Sequence, residues 1–196
     1  MRYLSFMLAA GLAFCVPSTL WSVARGAGHE PRVTGHETPV TGHEPRVGAE
    51  DPFTYQDGAV VRGAKSTRRL ALVFTGHEFA EGAAAILETL AGHGAKASFF
   101  LTGDFLRNAE FAPLVRRMLA EGHYVGPHSD RHRLYCAWTP DRRTLLTRAE
   151  FEADLDGNLR ELERLGVTRM QAGFFLPAYE HHNRRIGDWT HRLGLT

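Results

Sequence analysis

From about residue 52 onward, apolar residues follow two alternating patterns, one typical of buried strands and one of amphipathic helices. Apolar runs predict four short strands, with both faces buried as in parallel sheets, at residues 70–75, 96–101, 124–127 and 173–176. Helical spacing predicts four helices between or after these strands, at residues 81–92, 108–122, 147–166 and 183–193. The order of elements indicates an α/β fold in which right-handed crossovers join parallel strands.

Local signals support several of these boundaries. Asn108 is a predicted N-cap for the second helix, and Thr147 with Glu150 has the spacing of a capping box for the third. Residues 53–61 alternate loosely between apolar and polar, which predicts a short edge strand or a lead-in to the domain. Two architectures fit the pattern: an open doubly wound sheet, or part of a (β/α) barrel. Four strands are too few for a closed barrel of about eight, so a barrel would be incomplete.

Composition limits the class of protein. The chain has 196 residues, of which 43% are hydrophobic and 10% aromatic, as expected for one globular domain. Its formal charge is +1 and it has no basic stripe, which argues against nucleic acid as a partner.

The N-terminus predicts export. Arg2 is followed by an apolar stretch from Tyr3 to about Val23 and then by small residues, which is typical of a signal peptide over residues 1–27. One alternative is that the segment stays uncleaved as a membrane anchor. Another is a lipid anchor at Cys15, because the residues before it weakly match a lipoprotein cleavage box. Contact with a membrane is expected only through such an uncleaved or lipidated leader. Cleavage would leave Cys136 as the remaining thiol, in a protein that is secreted or held in the cell envelope or periplasm.

Residues 28–51 are predicted to be a linker, because a seven-residue unit rich in Gly, Pro, His and charge repeats there without any apolar face. It reads either as a solvated spacer or as a His/Glu metal-binding tract. The folded domain is then expected over residues 52–196.

Two predicted strand ends carry residues that suit catalysis. His128 and His132 follow the third strand, and His77, Glu78 and Glu81 follow the first. Strand ends meet at one rim in α/β folds, so two imidazoles and a third ligand could hold zinc while a remaining carboxylate accepts a proton from water. The plainer reading makes Glu78 and Glu81 first-turn acids favoured by the helix dipole. Tyr179, Glu180, His181 and His182 follow the fourth strand, where Tyr179 is either a wall for a sugar ring or a core residue.

Three segments together resemble the polysaccharide deacetylase family, also called the NodB-homology domain or carbohydrate esterase family 4. They are ALVFTGHEFAEG with the KASFFLTG strand that follows, then EGHYVGPHSDRH, then FFLPAYE. The second contains the family's H-[ST]-x-x-H metal motif, which carries over to His128 and His132.

The resemblance implies a distorted, incomplete (β/α) barrel of parallel strands. It also implies a divalent metal, usually zinc, and hydrolysis of N-acetyl groups on a glycan such as peptidoglycan or chitin. Under this reading His77, His128 and His132 bind the metal, Glu78 is the catalytic base and Tyr179 contacts the substrate.

Three departures from the family pattern bear on activity. The first motif normally has two adjacent aspartates, whereas His77 stands here where an acid is expected. The third motif has Leu176 where an arginine is expected, and the late motifs, including a histidine acid, are not found before Thr196. We therefore expect either a truncated domain lacking its C-terminal strands or substitution by His181 or His182. The competing hypotheses are an inactive carbohydrate-binding relic and a fragment that does not fold stably.

Overall fold

A computed structural model describes residues 53–64, 66 and 68–196. The predicted signal peptide and the repeat linker lie outside these residues. None of the helices among the described residues is long and apolar enough to cross a membrane.

Three parallel strands form the centre of the domain. Strand β3 (Val73–Gly76) pairs with β4 (Ser98–Leu101), and β4 pairs with β5 (Tyr124–Pro127). The sheet order β3-β4-β5 is the order of the strands in the chain, so that consecutive strands are neighbours in the sheet. Because all three strands run in the same direction, their carboxyl ends, at Gly76, Leu101 and Pro127, lie on the same side of the sheet. The predicted site residues follow these strand ends.

Helices cover this sheet. Helix α1 (Ala83–Gly92) connects β3 to β4, and helices α2 (Gly103–Arg107) and α3 (Ala112–Ala120) connect β4 to β5. Helix α4 (Arg148–Arg164) packs against β5 and α2, and α5 (Arg184–Arg192) follows near the C-terminus. The buried core joins the strands to the helices through Phe99, Leu101, Val125, Leu87, Val115, Met118, Phe151 and Leu155.

Several predicted boundaries are confirmed. Strand β5 spans the predicted residues, and both hydrogen bonds of the Thr147–Glu150 capping box are present at α4. Gly166, at φ 90°, ends that helix in the left-handed conformation that glycine adopts without steric cost. Asn183 caps α5 by accepting a hydrogen bond from the Ile186 amide.

Four predictions differ from the structure. Residues 70–72 precede β3 rather than belonging to it, and Leu70 is 73% exposed. Asn108 does not cap α3; it ends α2, a helix that was not predicted because five residues carry no apolar period. Residues 173–176 form no regular strand, because Leu176 bonds to Pro127 while Phe175 and Gly173 bond to Thr196. Residues 53–62 form a separate antiparallel hairpin of β1 (Thr54–Gln56) and β2 (Ala59–Arg62).

Candidate active site

The loop of residues 128–132 begins where β5 ends, at the predicted rim of the sheet. His128 is 1% exposed, and Ser129 is fully buried. Ser129 and His132 have positive φ values, 74° and 52°, which residues other than glycine rarely adopt. Such a backbone persists only where surrounding contacts hold it, and helices α4 and α2 supply those contacts.

Asp154 on helix α4 holds the loop from one side. Its buried Oδ2 accepts hydrogen bonds from the Ser129 hydroxyl (2.8 Å), the Tyr135 hydroxyl (2.6 Å) and the Asp130 amide (3.1 Å). Burial, followed by the Asp154 carboxylate, raises the pKa of Tyr135, so that hydroxyl remains a donor. One carboxylate thus satisfies three donors that would otherwise be buried without acceptors.

Asn158 lies one turn further along α4 and joins the ends of two strands. Its Oδ1 accepts from the His128 amide (2.7 Å), and its Nδ2 donates to the Leu101 carbonyl (3.1 Å). Asn158 is fully buried, so both bonds are shielded from water. The backbone of His128 is therefore fixed relative to β4.

The start of helix α2 holds the same loop from the other side. The Gly103 amide donates to the Ser129 carbonyl (3.1 Å), and the Asp104 amide donates to the Asp130 carbonyl (3.0 Å). A Cβ atom on Gly103 would lie 1.8 Å from Asp130 Oδ1, so this close approach requires glycine.

Three of the predicted site residues are in contact. The His77 and His132 rings stack at a centroid distance of 4.6 Å and an angle of 13°, and His128 lies 5.2 Å from His132. His77 Nδ1 shares a 3.2 Å hydrogen bond with the hydroxyl of Thr102, a buried residue that also caps α2. The first and third strand ends therefore do face one another across β4.

The protonation of the two loop histidines suits ligand binding. The His128 Nδ1–H donates to the Leu176 carbonyl at 2.8 Å, which leaves Nε2 with the free lone pair. Burial lowers the pKa of His128 to about 3 despite this bond. Burial, and then the neighbouring His77, also lowers the pKa of His132. Both rings are thus favoured in the neutral form that metals require.

The donor chemistry of these histidines fits a borderline metal such as zinc, but their arrangement does not yet form a complete site. Within the described residues, no group of three or more His, Cys, Asp or Glu side chains is arranged to hold a metal ion. The stacking of His77 on His132 gives the physical reason, because it brings ring faces together rather than nitrogen lone pairs.

The predicted acids lie at the outer side of the cluster. The Glu78 side chain is 64% exposed, and its Oε1 is 3.7 Å from His77 Nε2. Among the described residues, no arginine or lysine lies within ion-pair distance of Glu78, consistent with Leu176 standing where the family has an arginine. Glu81 is exposed just before α1. Glu78 adjoins the histidines, whereas no contact joins Glu81 to them.

Tyr179 lies beside the cluster in an unusual backbone conformation. Its ring is 4.4 Å from the His132 ring, and 45% of its surface is exposed. Tyr179 and Glu180 both have positive φ, 63° and 50°, within a short 3-10 turn. This exposure argues against Tyr179 as a core residue, one of the two alternatives for this position.

The two later histidines point to different partners. His181 stacks on Trp138 at 4.1 Å, and its Nε2 is 3.1 Å from the Ala137 carbonyl. His182 Nε2 lies 3.3 Å from the Gln56 carbonyl in the β1–β2 hairpin. Neither ring contacts His128 or His132, so the arrangement gives no support to either as a substitute acid.

Asp154, Asn158 and Thr102 were not predicted. A signal for the first two did exist: they occupy buried positions in the stripe that also contains Phe151, Leu155 and Leu162. Polar residues at core positions of an amphipathic helix usually have a specific hydrogen-bonding partner. The sequence does not reveal which partner that is, because the bonded residues lie 25 and 30 positions away.

Comparison with known proteins identifies the family. The family model described as polysaccharide deacetylase matches residues 62–196. A 49-residue segment, 25% of this chain and 17% of the relative, is 55% identical to a peptidoglycan-N-acetylglucosamine deacetylase of Bacillus cereus. The chain thus belongs to the polysaccharide deacetylase family, although its match spans less than a third of that curated relative.

Solved structures agree on the fold. A peptidoglycan N-acetylglucosamine deacetylase crystallised with 4-naphthalen-1-yl-N-oxidanyl-benzamide is 26% identical, with a TM-score of 0.53 over 64% of this chain and 53% of that chain. A mutant of a carbohydrate esterase family 4 pseudoenzyme with restored enzymatic activity is 22% identical, with a TM-score of 0.54 over 64% and 42%. The predicted NodB-like, distorted (β/α) barrel class is confirmed for the part of the chain these comparisons cover.

Proposed function

We propose that this protein is a metal-dependent hydrolase that removes N-acetyl groups from a polysaccharide, with peptidoglycan or a chitin-like glycan as substrate. The observation that carries the proposal is the placement of His128 and His132 side by side where β5 ends, with His128 Nε2 left free by the Nδ1 bond to Leu176. Family membership supports the same reading. A location outside the cell or in its envelope would bring the enzyme to such a glycan.

The metal site is part of this proposal. His128 and His132 would hold a divalent ion, and His77 would complete the set; imidazole ligands favour zinc. When bound, such an ion polarises the amide carbonyl and acidifies water. Asp154 and Asn158 keep the His128–His132 loop in place, and the Leu176 carbonyl fixes the His128 tautomer.

The remaining steps belong to side chains near the histidines. Glu78 would accept the proton of the attacking water and return it to the leaving amine, since its carboxylate is exposed beside His77. Tyr179 would contact the sugar that carries the N-acetyl group. The products are acetate and a free amine on the glycan.

The test is acetate release from N-acetylglucosamine oligomers and from peptidoglycan by the zinc-loaded full chain. We expect release by the wild type, and about 100-fold slower release by Glu78→Gln with unchanged zinc content. The matched control is Glu88→Gln, an exposed acid on α1, which should behave as the wild type. A folded, zinc-replete protein that releases no acetate would reject the proposal.

A non-catalytic carbohydrate-binding protein is the second candidate. The observation that favours it is the first-strand turn, where His77 replaces an expected acid and Glu78 lacks a nearby arginine or lysine among the described residues. This candidate predicts glycan binding that survives His128→Ala and His132→Ala, in a protein without deacetylase activity.

A further inference from the structure

Trp138 is a large aromatic side chain that the structure leaves 63% exposed close to the candidate site. Single exposed apolar residues are common on protein surfaces and usually need no explanation. Trp138 differs in three respects: its segment is rigidly anchored, one of its faces is already stacked, and it adjoins a strained aromatic residue that contacts His132.

The segment around Trp138 is a hairpin-like loop of residues 135–145. The Ala137 amide donates to the Arg143 carbonyl (2.9 Å), and the Leu145 amide donates to the Tyr135 carbonyl (2.9 Å). Tyr135, at the base, is fully buried and is bonded to Asp154. The loop is therefore tied to the same carboxylate that holds the histidine loop.

The far arm of the hairpin is anchored as well. Asn183 Nδ2 donates to the Arg142 carbonyl (2.6 Å) and to the Thr144 hydroxyl (3.0 Å). Arg142 donates to the His182 carbonyl (3.1 Å) and pairs with Asp57 (2.7 Å). These bonds hold Trp138 in position before any ligand arrives, which reduces the entropy lost on binding.

Trp138, Tyr179 and His181 form a continuous aromatic surface, here called the aromatic shelf. The Trp138 ring stacks on His181 at 4.1 Å and 21°, and it meets Tyr179 edge-to-face at 6.1 Å. Tyr179 in turn lies 4.4 Å from His132. The shelf thus leads from the histidine cluster outward, and the face of Trp138 opposite His181 is available to a ligand.

The backbone beneath the shelf is held in a costly conformation. Tyr179 and Glu180 are consecutive residues at positive φ, 63° and 50°, although neither is glycine. Tyr179 is 45% exposed in this conformation. Strain that keeps an aromatic ring at the surface beside a candidate site is a feature of ligand-binding positions.

We propose that the aromatic shelf binds the pyranose ring of a neighbouring sugar unit, adjacent to the unit whose N-acetyl group faces His128 and His132. This inference rests on the proposed function and adds a specificity determinant to it. A sugar ring presents apolar C–H faces that pack on an indole face, and its hydroxyls remain in water. The shelf is only a few rings wide, which suits one sugar unit better than a protein partner, whose interfaces bury far more area.

The experiment measures binding of N-acetylglucosamine oligomers of one to six units by calorimetry, together with the KM and kcat of acetate release. We expect Trp138→Ala to weaken binding of the longer oligomers about tenfold and to raise their KM similarly, with monosaccharide binding and kcat unchanged. Trp138→Phe should restore part of the loss, because a smaller ring still stacks. Met170→Ala is the control, since Met170 is 90% exposed and lies outside the shelf.

Each outcome separates the shelf from the catalytic proposal. Loss of oligomer binding in Trp138→Ala supports the shelf even if the wild type releases no acetate, in which case only the deacetylase proposal fails. If the wild type and Trp138→Ala bind each oligomer equally tightly, the shelf proposal is overturned, whether or not acetate is released. The proposal is also overturned if the wild type binds none of the oligomers. It is overturned as well if Trp138→Ala changes only the oligomeric state of the protein, because Trp138 would then belong to a protein contact.

Discussion

The two halves of the candidate site are built differently. The loop of residues 128–132 begins with the buried His128 and Ser129, and helices α2 and α4 bond to it through Gly103, Asp154 and Asn158. The turn of residues 76–82 is largely open, with Glu78 64% exposed and His77 bonded to Thr102. The first half is fixed by several hydrogen bonds from distant parts of the chain, while His77 in the second half has one such bond, to Thr102.

This difference bears on the departure from the family at His77. A change at Ser129 would leave buried partners unpaired, which costs stability as well as function. A residue in the open turn, such as the exposed Glu78, can change with less effect on folding. A substitution is therefore tolerated by the fold more readily in the open turn than at the start of the histidine loop.

The largest expected effect concerns Asp154. Replacing Asp154 with Ala removes one acceptor from three buried donors and should lower the free energy of unfolding by about 3 kcal/mol. Asp156→Ala is the matched control on the same helix, since Asp156 pairs with Arg160 at the surface and should cost less than about 1 kcal/mol. Urea unfolding measures both, and equal losses would contradict the role given to Asp154.

A second prediction compares zinc affinity in the two halves. His128→Gln should weaken zinc binding about tenfold more than His77→Gln, because His128 is pre-oriented by Leu176 whereas His77 is stacked on His132. Competition with a chromophoric chelator measures the difference. His93→Gln, an exposed histidine after α1, is the control. Equal losses would mean that the two halves contribute alike.

The smallest expected effect is a pH dependence of stability caused by His123, the residue that precedes β5. The buried His123 ring accepts a hydrogen bond from the Ala97 amide (3.2 Å), and burial lowers the pKa of His123 despite Glu121 at 3.4 Å. The unfolded chain then takes up a proton near pH 6.5 that the folded chain does not, so stability is present above this pH and is lost as the pH falls.

Unfolding of the metal-free protein between pH 7 and pH 5 tests this dependence. His123→Asn keeps an acceptor for the Ala97 amide without the titrating ring, so its stability should fall less steeply over that range than that of the wild type. Parallel pH profiles for the two proteins would assign the acid sensitivity to other groups. His128 also has a lowered pKa, so both proteins should still lose some stability.

The sequence anticipated those parts of the fold and site that depend on local pattern. Strand β5, helix α4 with its capping box and the start of α5 near residue 183 agree with the structure because each depends on residues within a few positions. Helix α2 was missed since its five residues are stabilised by the Thr102 cap and by packing on α4. Residues 173–176 have the composition of a strand, but their hydrogen-bond partners divide between β5 and the C-terminus.

By itself, the sequence determined the alternation of strands and helices and the His128–His132 pair at a strand end. Only the tertiary structure decided how these parts act together: Asp154 and Asn158 reach the loop from about 25 to 30 residues away, His77 stacks on His132, and the ring of Tyr179 lies against His132. The physical reason is that periodicity and caps encode contacts within a turn or two. Hydrogen bonds between distant segments exist only once packing has brought the segments together.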